Sequence, residues 1–338
     1  MKNKFNFLVK NSTPFFFIID YDVKNIEIIE LNNNNNNNNN NNVFFNVNGV
    51  TNYTECFNNN NNNNNMFFNN DFVFFKKTID YSTYSNIFSN IKSEFFKGNS
   101  YLINLTFPTE INTNRSLSEI FTHSSAKYKL LYKDKFVVFS PETFIKIKND
   151  TIYSFPMKGT IDASIPNAEN IILSDEKELA EHITIVDLVR NDLSMVAKDV
   201  KVNRFRYIDY ISTNNRNLLQ VSSEITGKLP KNYRDNLYDI ILKLLPASSI
   251  CGAPKLESMK IIKENEIYNR GYYTGIAGYF DGKNLDSFVM IRFIEKENDK
   301  LYYKSGGGIT YNSDPIKEYK EMGDKIYVPV HRDNKNTK

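Results

Sequence analysis

Two segments place an ionisable side chain beside proline or glycine, in a setting that suits acid, base or nucleophilic chemistry. Glu142 follows Ser140-Pro141 at the end of an apolar run. A carboxylate held there can act as a rigid acid or base, and an ordinary turn glutamate is the alternative. Lys158 lies between Met157 and Gly159. Apolar neighbours that desolvate an ammonium lower its pKa and make the amine nucleophilic, and a solvated turn lysine is the alternative.

Three glutamates have the spacing of a divalent metal site. Glu181 opens a predicted helix over residues 180–193, while Glu318 and Glu321 follow Asp314-Pro315, which predicts a helix N-cap with proline at the first position. Residues three apart share a helix face. Mg²⁺ takes one or two protein carboxylates and fills its octahedron with water and substrate oxygens. A solvated amphipathic face is the alternative meaning of Glu-x-x-Glu.

Two further segments could bind an anion. Ser305 precedes three consecutive glycines, 306–308, whose backbone N–H groups could form an anion-binding concavity. No Gly-Lys-Ser/Thr follows, so a nucleotide P-loop is not supported, and a plain tight turn is the alternative. Arg292 lies inside the apolar run 288–294, which predicts a strand. An arginine there must be paired, and bidentate carboxylate recognition is its natural use.

The elements that must position these residues are interspersed helices and strands. Ile183, Val186, Val189 and Leu193 recur at three- and four-residue steps and should face a core. The segment 86–96 also has a helical period. The predicted strands are 15–20, 25–31, 43–47, 100–106, 136–139, 144–147, 272–280, 288–294 and 301–304. Because the strict alternation of a doubly wound sheet is missing, we expect an α+β fold with largely antiparallel sheets.

Composition excludes several classes of protein. The 338 residues carry 42 Lys and Arg against 39 Asp and Glu, a net charge of +3, so a phosphate-backbone partner is not expected. Cys56 and Cys251 form no CxxC and only three histidines are present, which predicts a reducing, cytoplasmic setting without a thiolate zinc site. No run approaches the ~20 apolar residues of a membrane span. The asparagine tracts 32–42 and 58–65 predict solvated loop insertions.

Together these motifs resemble the chorismate-utilising enzymes: anthranilate synthase large subunits, isochorismate synthases and aminodeoxychorismate synthase component I. The similarity runs from about residue 98 to residue 325. It is carried by Gly98-Asn99-Ser100-Tyr101, Ser140-Pro141-Glu142-Thr143-Phe144, Pro156-Met157-Lys158-Gly159-Thr160, Ala180-Glu181-His182, Val186-Asp187-Leu188-Val189-Arg190-Asn191-Asp192, Gly252-Ala253-Pro254-Lys255, Tyr273-Thr274-Gly275, Ile291-Arg292, Gly307-Gly308, Ser313-Asp314-Pro315 and Glu318-Tyr319-Lys320-Glu321.

The resemblance implies a fold and a domain layout. The fold is α+β, with antiparallel sheets facing each other in a sandwich and helices on the flanks. Residues 1–75 would form a short strand region interrupted by the asparagine-rich loops, residues 76–330 a chorismate-binding catalytic domain, and residues 331–338 a tail.

Within that family the resemblance is greatest to aminodeoxychorismate synthases, because anthranilate synthases typically carry alanine at the position of Lys158. The implied reaction is Mg²⁺-dependent amination of chorismate at C4, giving 4-amino-4-deoxychorismate for para-aminobenzoate and folate biosynthesis. The chain shows no glutaminase signature, so ammonia is expected from solution or from a separate glutamine amidotransferase subunit. The alternatives are an anthranilate or isochorismate-type synthase, and a non-catalytic subunit that activates an amidotransferase.

The resemblance also implies residue roles. Lys158 would attack C2 of chorismate and Glu142 would protonate the departing hydroxyl. Mg²⁺ would be held by Glu181 and Glu321 with Glu318 nearby. The enolpyruvyl carboxylate would be bound by Ser249, Tyr273, Arg292, Gly307 and Gly308. Two positions depart from the family pattern: Leu219 and Gln220 replace a segment with a histidine, and Cys251 replaces a threonine.

Overall fold

The computed structural model describes residues 1–31, 42–53, 72–212 and 217–329. Cys56, the tract 58–65 and all of the first tract except Asn42 lie outside them. The chain divides into two units, each assembled from three separate stretches. The first comprises Met1–Asn33, Glu142–Ser249 and Thr274–Val289, and the second Asn34–Pro141, Ile250–Tyr273 and Met290–Lys338. The domain bounds expected from the sequence stay a prediction.

The strands and helices among the described residues are as follows. In chain order the strands are β1 (Phe15–Ile19), β2 (Ile26–Glu30), β3 (Val43–Val47), β4 (Val50–Thr51), β5 (Phe74–Lys77), β6 (Leu102–Thr113), β7 (Tyr128–Tyr132), β8 (Phe136–Ser140), β9 (Thr143–Lys148), β10 (Thr151–Ser154), β11 (Met157–Asp162), β12 (Lys198–Ser212), β13 (Asn217–Lys228), β14 (Gly252–Ala253), β15 (Ile276–Phe280), β16 (Leu285–Val289), β17 (Phe293–Glu297) and β18 (Lys300–Thr310). The helices are α1 (Lys2–Lys10), α2 (Tyr81–Phe96), α3 (Leu117–His123), α4 (Ala168–Ser174), α5 (Glu176–Ser194), α6 (Leu237–Leu244), α7 (Lys255–Asn265) and α8 (Pro315–Asp324).

Each unit is built on one large sheet. In the first unit the strand order is β11-β13-β10-β9-β16-β15-β1-β2, with β12 also paired to β13. In the second it is β14-β6-β18-β17-β8-β7-β3-β4, with β5 also paired to β6. The strand pairs within the described residues are antiparallel. The expected α+β fold with antiparallel sheets is therefore confirmed.

Helix α5 of the first unit differs from its sequence prediction in two ways. It begins at Glu176, because Asp175 caps it by accepting a hydrogen bond from the Glu178 N–H. Glu181 therefore lies in the second turn instead of opening the helix. Ile183 is 50% exposed, so the expectation that it faces a core is wrong. The buried residues of the helix include Glu181, His182 and Asp192, so three polar side chains lie on its inner face.

Helix α8 of the second unit begins as the sequence predicts. Asp314 accepts a hydrogen bond from the Lys317 N–H, and Pro315 occupies the first helical position. Its buried Met322 packs with Phe107 of β6 and Ile309 of β18 in one apolar cluster. That cluster fixes the inner face of α8, on which Glu318 is also buried.

One strand prediction and one turn alternative are wrong. The run 288–294 is not one strand, because β16 ends at Val289 and β17 begins at Phe293 in the other sheet. Arg292 between them has φ +54°, which an extended strand does not allow. Residues 306–308 form no turn, since they continue β18 in register with β6. A Cβ at Gly306 would come 2.1 Å from the Leu105 carbonyl oxygen, so the close approach of β6 requires a glycine there.

A buried ion pair holds the segment before Tyr273. The Arg270 guanidinium lies 2.7 Å from Glu266, with side chains only 2% and 3% exposed. Arg270 also donates to the carbonyl oxygens of Ile250 and Asn104, while Glu266 accepts from the backbone and hydroxyl of Thr106. The two buried charges therefore compensate each other, and both side chains make further hydrogen bonds.

We expect Glu266→Ala to lower the free energy of unfolding by about 3–5 kcal/mol, because it leaves a buried guanidinium without its counter-charge. Urea unfolding followed by circular dichroism measures the change. Glu257→Ala is the matched control, since Glu257 forms an exposed ion pair with Lys260 on α7. Loss of that ion pair should leave the unfolding curve almost unchanged. Equal curves for the two variants would contradict the expectation.

No helix in the described part of the chain is both long and apolar enough to cross a membrane.

Candidate active site

Lys158 stands on an irregularity of the first sheet. The pairing of β11 with β13 shifts register between Met157 and Thr160, and Gly159 has φ +86°. Such a bulge redirects the side chains of the strand that carries it. A Cβ at Gly159 would come 3.1 Å from a Glu178 carboxylate oxygen, so a side chain there would meet α5. The sequence Lys-Gly thus allows Lys158 to leave the regular pleat close to this helix.

The Lys158 ammonium is paired with Glu181. Its Nζ lies 2.7 Å from Glu181 Oε2, and the two side chains are 25% and 7% exposed. Lys177 approaches the other oxygen of Glu181, at 3.7 Å. Lys158 is therefore a largely buried strand residue beside a buried carboxylate, in contrast to a solvated turn lysine.

His182, the neighbour of Glu181, is anchored to β13. Its Nε2 lies 2.7 Å from the Ser223 hydroxyl, which also accepts a hydrogen bond from the Arg206 N–H at 2.9 Å. Burial, together with the charge of Arg206, lowers the pKa of His182 to about 4, so the ring is neutral at pH 7. Sequence reasoning gave His182 no role, because its partner is 41 residues away.

Glu142 meets Ser249 within the first unit. It stands between β8 and β9, and its Oε1 accepts a short hydrogen bond from the Ser249 hydroxyl. The Glu142 carbonyl oxygen also accepts a hydrogen bond from the Val289 N–H, 3.2 Å away. Both side chains are half-buried. The structure thus brings together a predicted acid and a predicted substrate-binding hydroxyl.

The Glu142–Ser249 pair lies on the wall of a cleft in the first unit. The cleft has a volume of about 410 Å³, counting space open to solvent, and its other polar side chains include Asp192 and Ser248. Apolar side chains supply much of the remaining wall: Phe144, Ile145, Pro156, Val189, Leu193, Leu244 and Val289. Asp192 ends the motif 186–192, and its neighbours in sequence predict no function for it. Its spacing of 11 residues from Glu181 is about three helical turns, so the two share the inner face of α5.

In the second unit, Glu318 and Glu321 lie around one glycine. A Cβ at Gly307 would stand 3.8 Å from Glu318 Oε2, 3.9 Å from Glu321 Oε1 and 3.5 Å from Lys325 Nζ. Lys325 is 2.8 Å from Glu321 and donates to the Gly306 carbonyl oxygen. Hard carboxylate oxygens beside space that a side chain would fill suit a divalent cation such as Mg²⁺.

Arg292 and Tyr273 lie in aromatic surroundings in the second unit. The Arg292 guanidinium is 5.5 Å from the centre of the Tyr327 ring, and its Nε is buried without a hydrogen-bond partner among the described residues. Tyr273 is 4% exposed and packs 5.8 Å from the Phe293 ring. A buried N–H without a partner is costly, and a bound carboxylate would satisfy it.

The predicted site residues are divided between the two units. Glu142, Lys158, Glu181 and Ser249 belong to the first, whereas Tyr273, Arg292, Gly307, Gly308, Glu318 and Glu321 belong to the second. Within the ranges that the structure describes, no three His, Cys, Asp or Glu side chains are grouped as metal ligands. The three-carboxylate metal set and the substrate-binding roles stay predictions.

Comparison with known proteins decides the family. A family model described as chorismate binding enzyme matches residues 15–331. The chain belongs to this family. The match starts at β1 and ends beyond α8, so it includes residues of both units. The predicted membership of the chorismate-utilising enzymes is confirmed.

Named relatives of this chorismate binding enzyme include two component 1 synthases. An uncharacterized PabA-like protein of Haemophilus influenzae is 47% identical over 321 residues, 95% of this chain and 94% of that protein. Aminodeoxychorismate synthase component 1 of Bacillus subtilis is 35% identical over 197 residues, 56% of this chain and 41% of that protein. The crystal structure of anthranilate synthase component I from Streptococcus pneumoniae has a TM-score of 0.63 at 25% identity, covering 76% of this chain and 59% of that one. The chain thus matches less than two thirds of either synthase.

Among the residues that depart from the family pattern, Leu219 and Cys251 are buried and Gln220 is half-buried. Leu219 is 3% exposed in β13, opposite Ile161 of β11. Cys251 is fully buried, and its carbonyl oxygen accepts a hydrogen bond from the Asn104 N–H. Both are packing positions in this chain, and a thiol without solvent access is not a reactive one.

Proposed function

We propose that this chorismate binding enzyme is the synthase component of aminodeoxychorismate formation, which aminates chorismate at C4. The observation that carries the proposal is the Lys158–Glu181 pair at 2.7 Å on a bulged strand, in the same unit as the hydrogen-bonded Glu142. An amine and a carboxylic acid are the two groups that such a substitution needs. The similarity to aminodeoxychorismate synthase component 1 of Bacillus subtilis supports it.

In the proposed first step, neutral Lys158 adds to C2 of chorismate. The C2–N bond forms, the ring double bond shifts, and the C4–O bond breaks. Glu142 gives its proton to the departing hydroxyl, which leaves as water. Since an ammonium is no nucleophile, Lys158 must be neutral when it adds to the ring.

In the proposed second step, ammonia adds at C4 while the C2–N bond breaks and returns the electron pair to Lys158. Glu142, now a carboxylate, takes a proton from the new C4 ammonium, so the enzyme is restored. The sum is chorismate plus ammonia giving 4-amino-4-deoxychorismate plus water. Covalent catalysis replaces one difficult displacement by two easier steps.

The remaining residues are proposed to bind. Glu318 and Glu321, which lie together in the second unit, would hold Mg²⁺, which when bound supplies positive charge for a substrate carboxylate. Arg292, Tyr273, Gly307 and Gly308 would bind the enolpyruvyl carboxylate, and the buried Arg292 Nε is available for that. Ser249, which the resemblance also assigns to this carboxylate, gives its hydroxyl proton to Glu142 instead. We propose that ammonia reaches the enzyme from a separate glutamine amidotransferase subunit.

A second candidate is anthranilate synthesis, which the similarity to the Streptococcus pneumoniae structure favours. It shares the substrate but needs amination at a different ring carbon and loss of pyruvate. Lys158 argues against it, because the family's anthranilate synthases typically carry alanine at this position. A non-catalytic subunit that activates an amidotransferase is the remaining alternative, and the pairing of half-buried Lys158 with buried Glu181 argues against that.

Product analysis tests the proposal. The purified chain is incubated with chorismate, MgCl₂ and ammonium chloride, with an EDTA-treated sample alongside, and the products are separated and identified by mass. We expect aminodeoxychorismate, formed only when Mg²⁺ is present. Accumulation of fluorescent anthranilate would instead establish the second candidate, and zero turnover with ammonium in excess would favour the non-catalytic subunit.

A further inference from the structure

Asp192 lies in the wall of the cleft that also holds Glu142. Its side chain is on the inner face of α5, and the residue is 9% exposed. Its Oδ2 accepts a hydrogen bond of 2.5 Å from the hydroxyl of Ser248, which is itself 4% exposed. A buried carboxylate is costly unless its hydrogen bonds are made. Loss of the hydrogen bond from Ser248 would therefore destabilise the buried Asp192 carboxylate.

Ser248 is followed directly by Ser249, the hydrogen-bond donor to Glu142. The two serines begin a 3₁₀ turn, Ser248–Ile250, in which each hydroxyl donates to a different carboxylate. Fixing one end of a dipeptide in a tight turn restricts the backbone of its neighbour. The contact from α5 thus restricts the backbone that carries the Ser249 hydroxyl.

We propose that Asp192 is a positioning residue that holds Glu142 in place through the consecutive hydroxyls of Ser248 and Ser249. The inference rests on the proposed function, in which Glu142 is the acid and base. Asp192 itself need not touch chorismate. Its effect is on the direction of the Glu142 carboxyl group, and a carboxyl must be aligned with the oxygen that it protonates.

The kinetic test uses three variants of the full chain. Asp192→Ala removes the acceptor of Ser248, and we expect kcat to fall by about 10- to 100-fold while KM for chorismate changes by less than about 3-fold. Asp192→Asn keeps an oxygen that can accept from Ser248, so we expect it to recover kcat to within about 3-fold of the wild type. Asp187→Asn is the matched control on the same helix, since Asp187 is exposed and paired with Arg190.

A double variant tests whether Asp192 acts through Ser249. If it does, Asp192→Ala combined with Ser249→Ala should lower kcat no further than Ser249→Ala alone. Multiplicative losses in the double variant would overturn the proposal. An Asp192→Ala enzyme with unchanged kcat would also overturn it, as would an Asp192→Asn enzyme as impaired as the alanine variant.

A crystal structure of Asp192→Ala separates this proposal from the proposed function. We expect the Ser249–Glu142 hydrogen bond to be lost or lengthened while the rest of α5 is unchanged. That result holds even if the wild-type chain makes no aminodeoxychorismate, in which case only the assigned reaction fails. An unaltered Ser249–Glu142 contact in the variant would refute the positioning role, whatever reaction the enzyme catalyses.

Discussion

Lys158→Ala is expected to lower aminodeoxychorismate formation by at least about 10³-fold, because it removes the nucleophile that makes the two-step route possible. Binding of chorismate and Mg²⁺ should persist, since the residues proposed to bind them are untouched. Steady-state turnover with ammonium as the nitrogen source measures the loss. Calorimetric titration with chorismate in the presence of Mg²⁺ measures the retained binding.

The chain supplies a close control in Lys146. That residue lies in the same sheet, pairs with Asp286 at 2.8 Å, and has a side chain 26% exposed, against 2.7 Å and 25% for Lys158. Lys146→Ala removes an equivalent ion pair and should keep turnover near that of the wild type. Undiminished turnover in Lys158→Ala would eliminate the nucleophile assignment. Equal losses in both variants would attribute the effect to folding.

The covalent intermediate can be sought directly. Without an ammonia source, the second step cannot proceed, and the lysine adduct should accumulate. Intact-mass analysis after incubation with chorismate and Mg²⁺ should show a gain equal to chorismate less one water on the wild type and none on Lys158→Ala. A wild-type enzyme that turns over with ammonium yet never shows this gain would argue for direct addition of ammonia.

Local sequence signals predicted part of this structure well. The start of α8 is encoded by adjacent residues, because Asp314 caps the N–H three residues on and Pro315 fits only the first turn. The apolar period of residues 180–193 predicts helix α5 but not its first turn, because Glu176, Lys177 and Glu178 there are charged. Antiparallel sheets followed from the irregular alternation of helices and strands.

Features that depend on distant partners could not be predicted. The bulge at Lys158 arises from pairing with β13, whose partner residues lie about 60 positions away along the chain. Arg292 leaves the strand because its flanking residues join different sheets, a choice that hydrophobicity does not reveal. The link from Asp192 to Ser248 spans 56 residues. Candidate catalytic residues such as Lys158 and Glu142 can be predicted from their neighbours in sequence, whereas Ser248 and Asp192, which contact each other across this distance, cannot.

Glu142→Gln is expected to lower turnover by about 10²- to 10⁴-fold, the range that general acid and base catalysis contributes. The amide oxygen of glutamine can still accept the Ser249 hydrogen bond, so the side chain should keep its place while losing the proton it must donate. Turnover is measured with ammonium and Mg²⁺, and chorismate affinity by calorimetric titration. We expect the affinity to change little, because Glu142 is not among the groups proposed to bind a carboxylate.

Two further variants make the Glu142 test specific. Glu142→Asp keeps an acidic proton on a shorter side chain and should recover part of the activity, which a purely steric role of Glu142 would not allow. Glu224→Gln is the matched control, since Glu224 is also half-buried in the first unit and accepts one hydrogen bond, from Asn203 at 2.9 Å. If Glu142→Gln turned over as fast as Glu224→Gln, another group would have to protonate the leaving hydroxyl. Because Asp192 is the other ionisable residue lining that cleft, its variants would then be the next to measure.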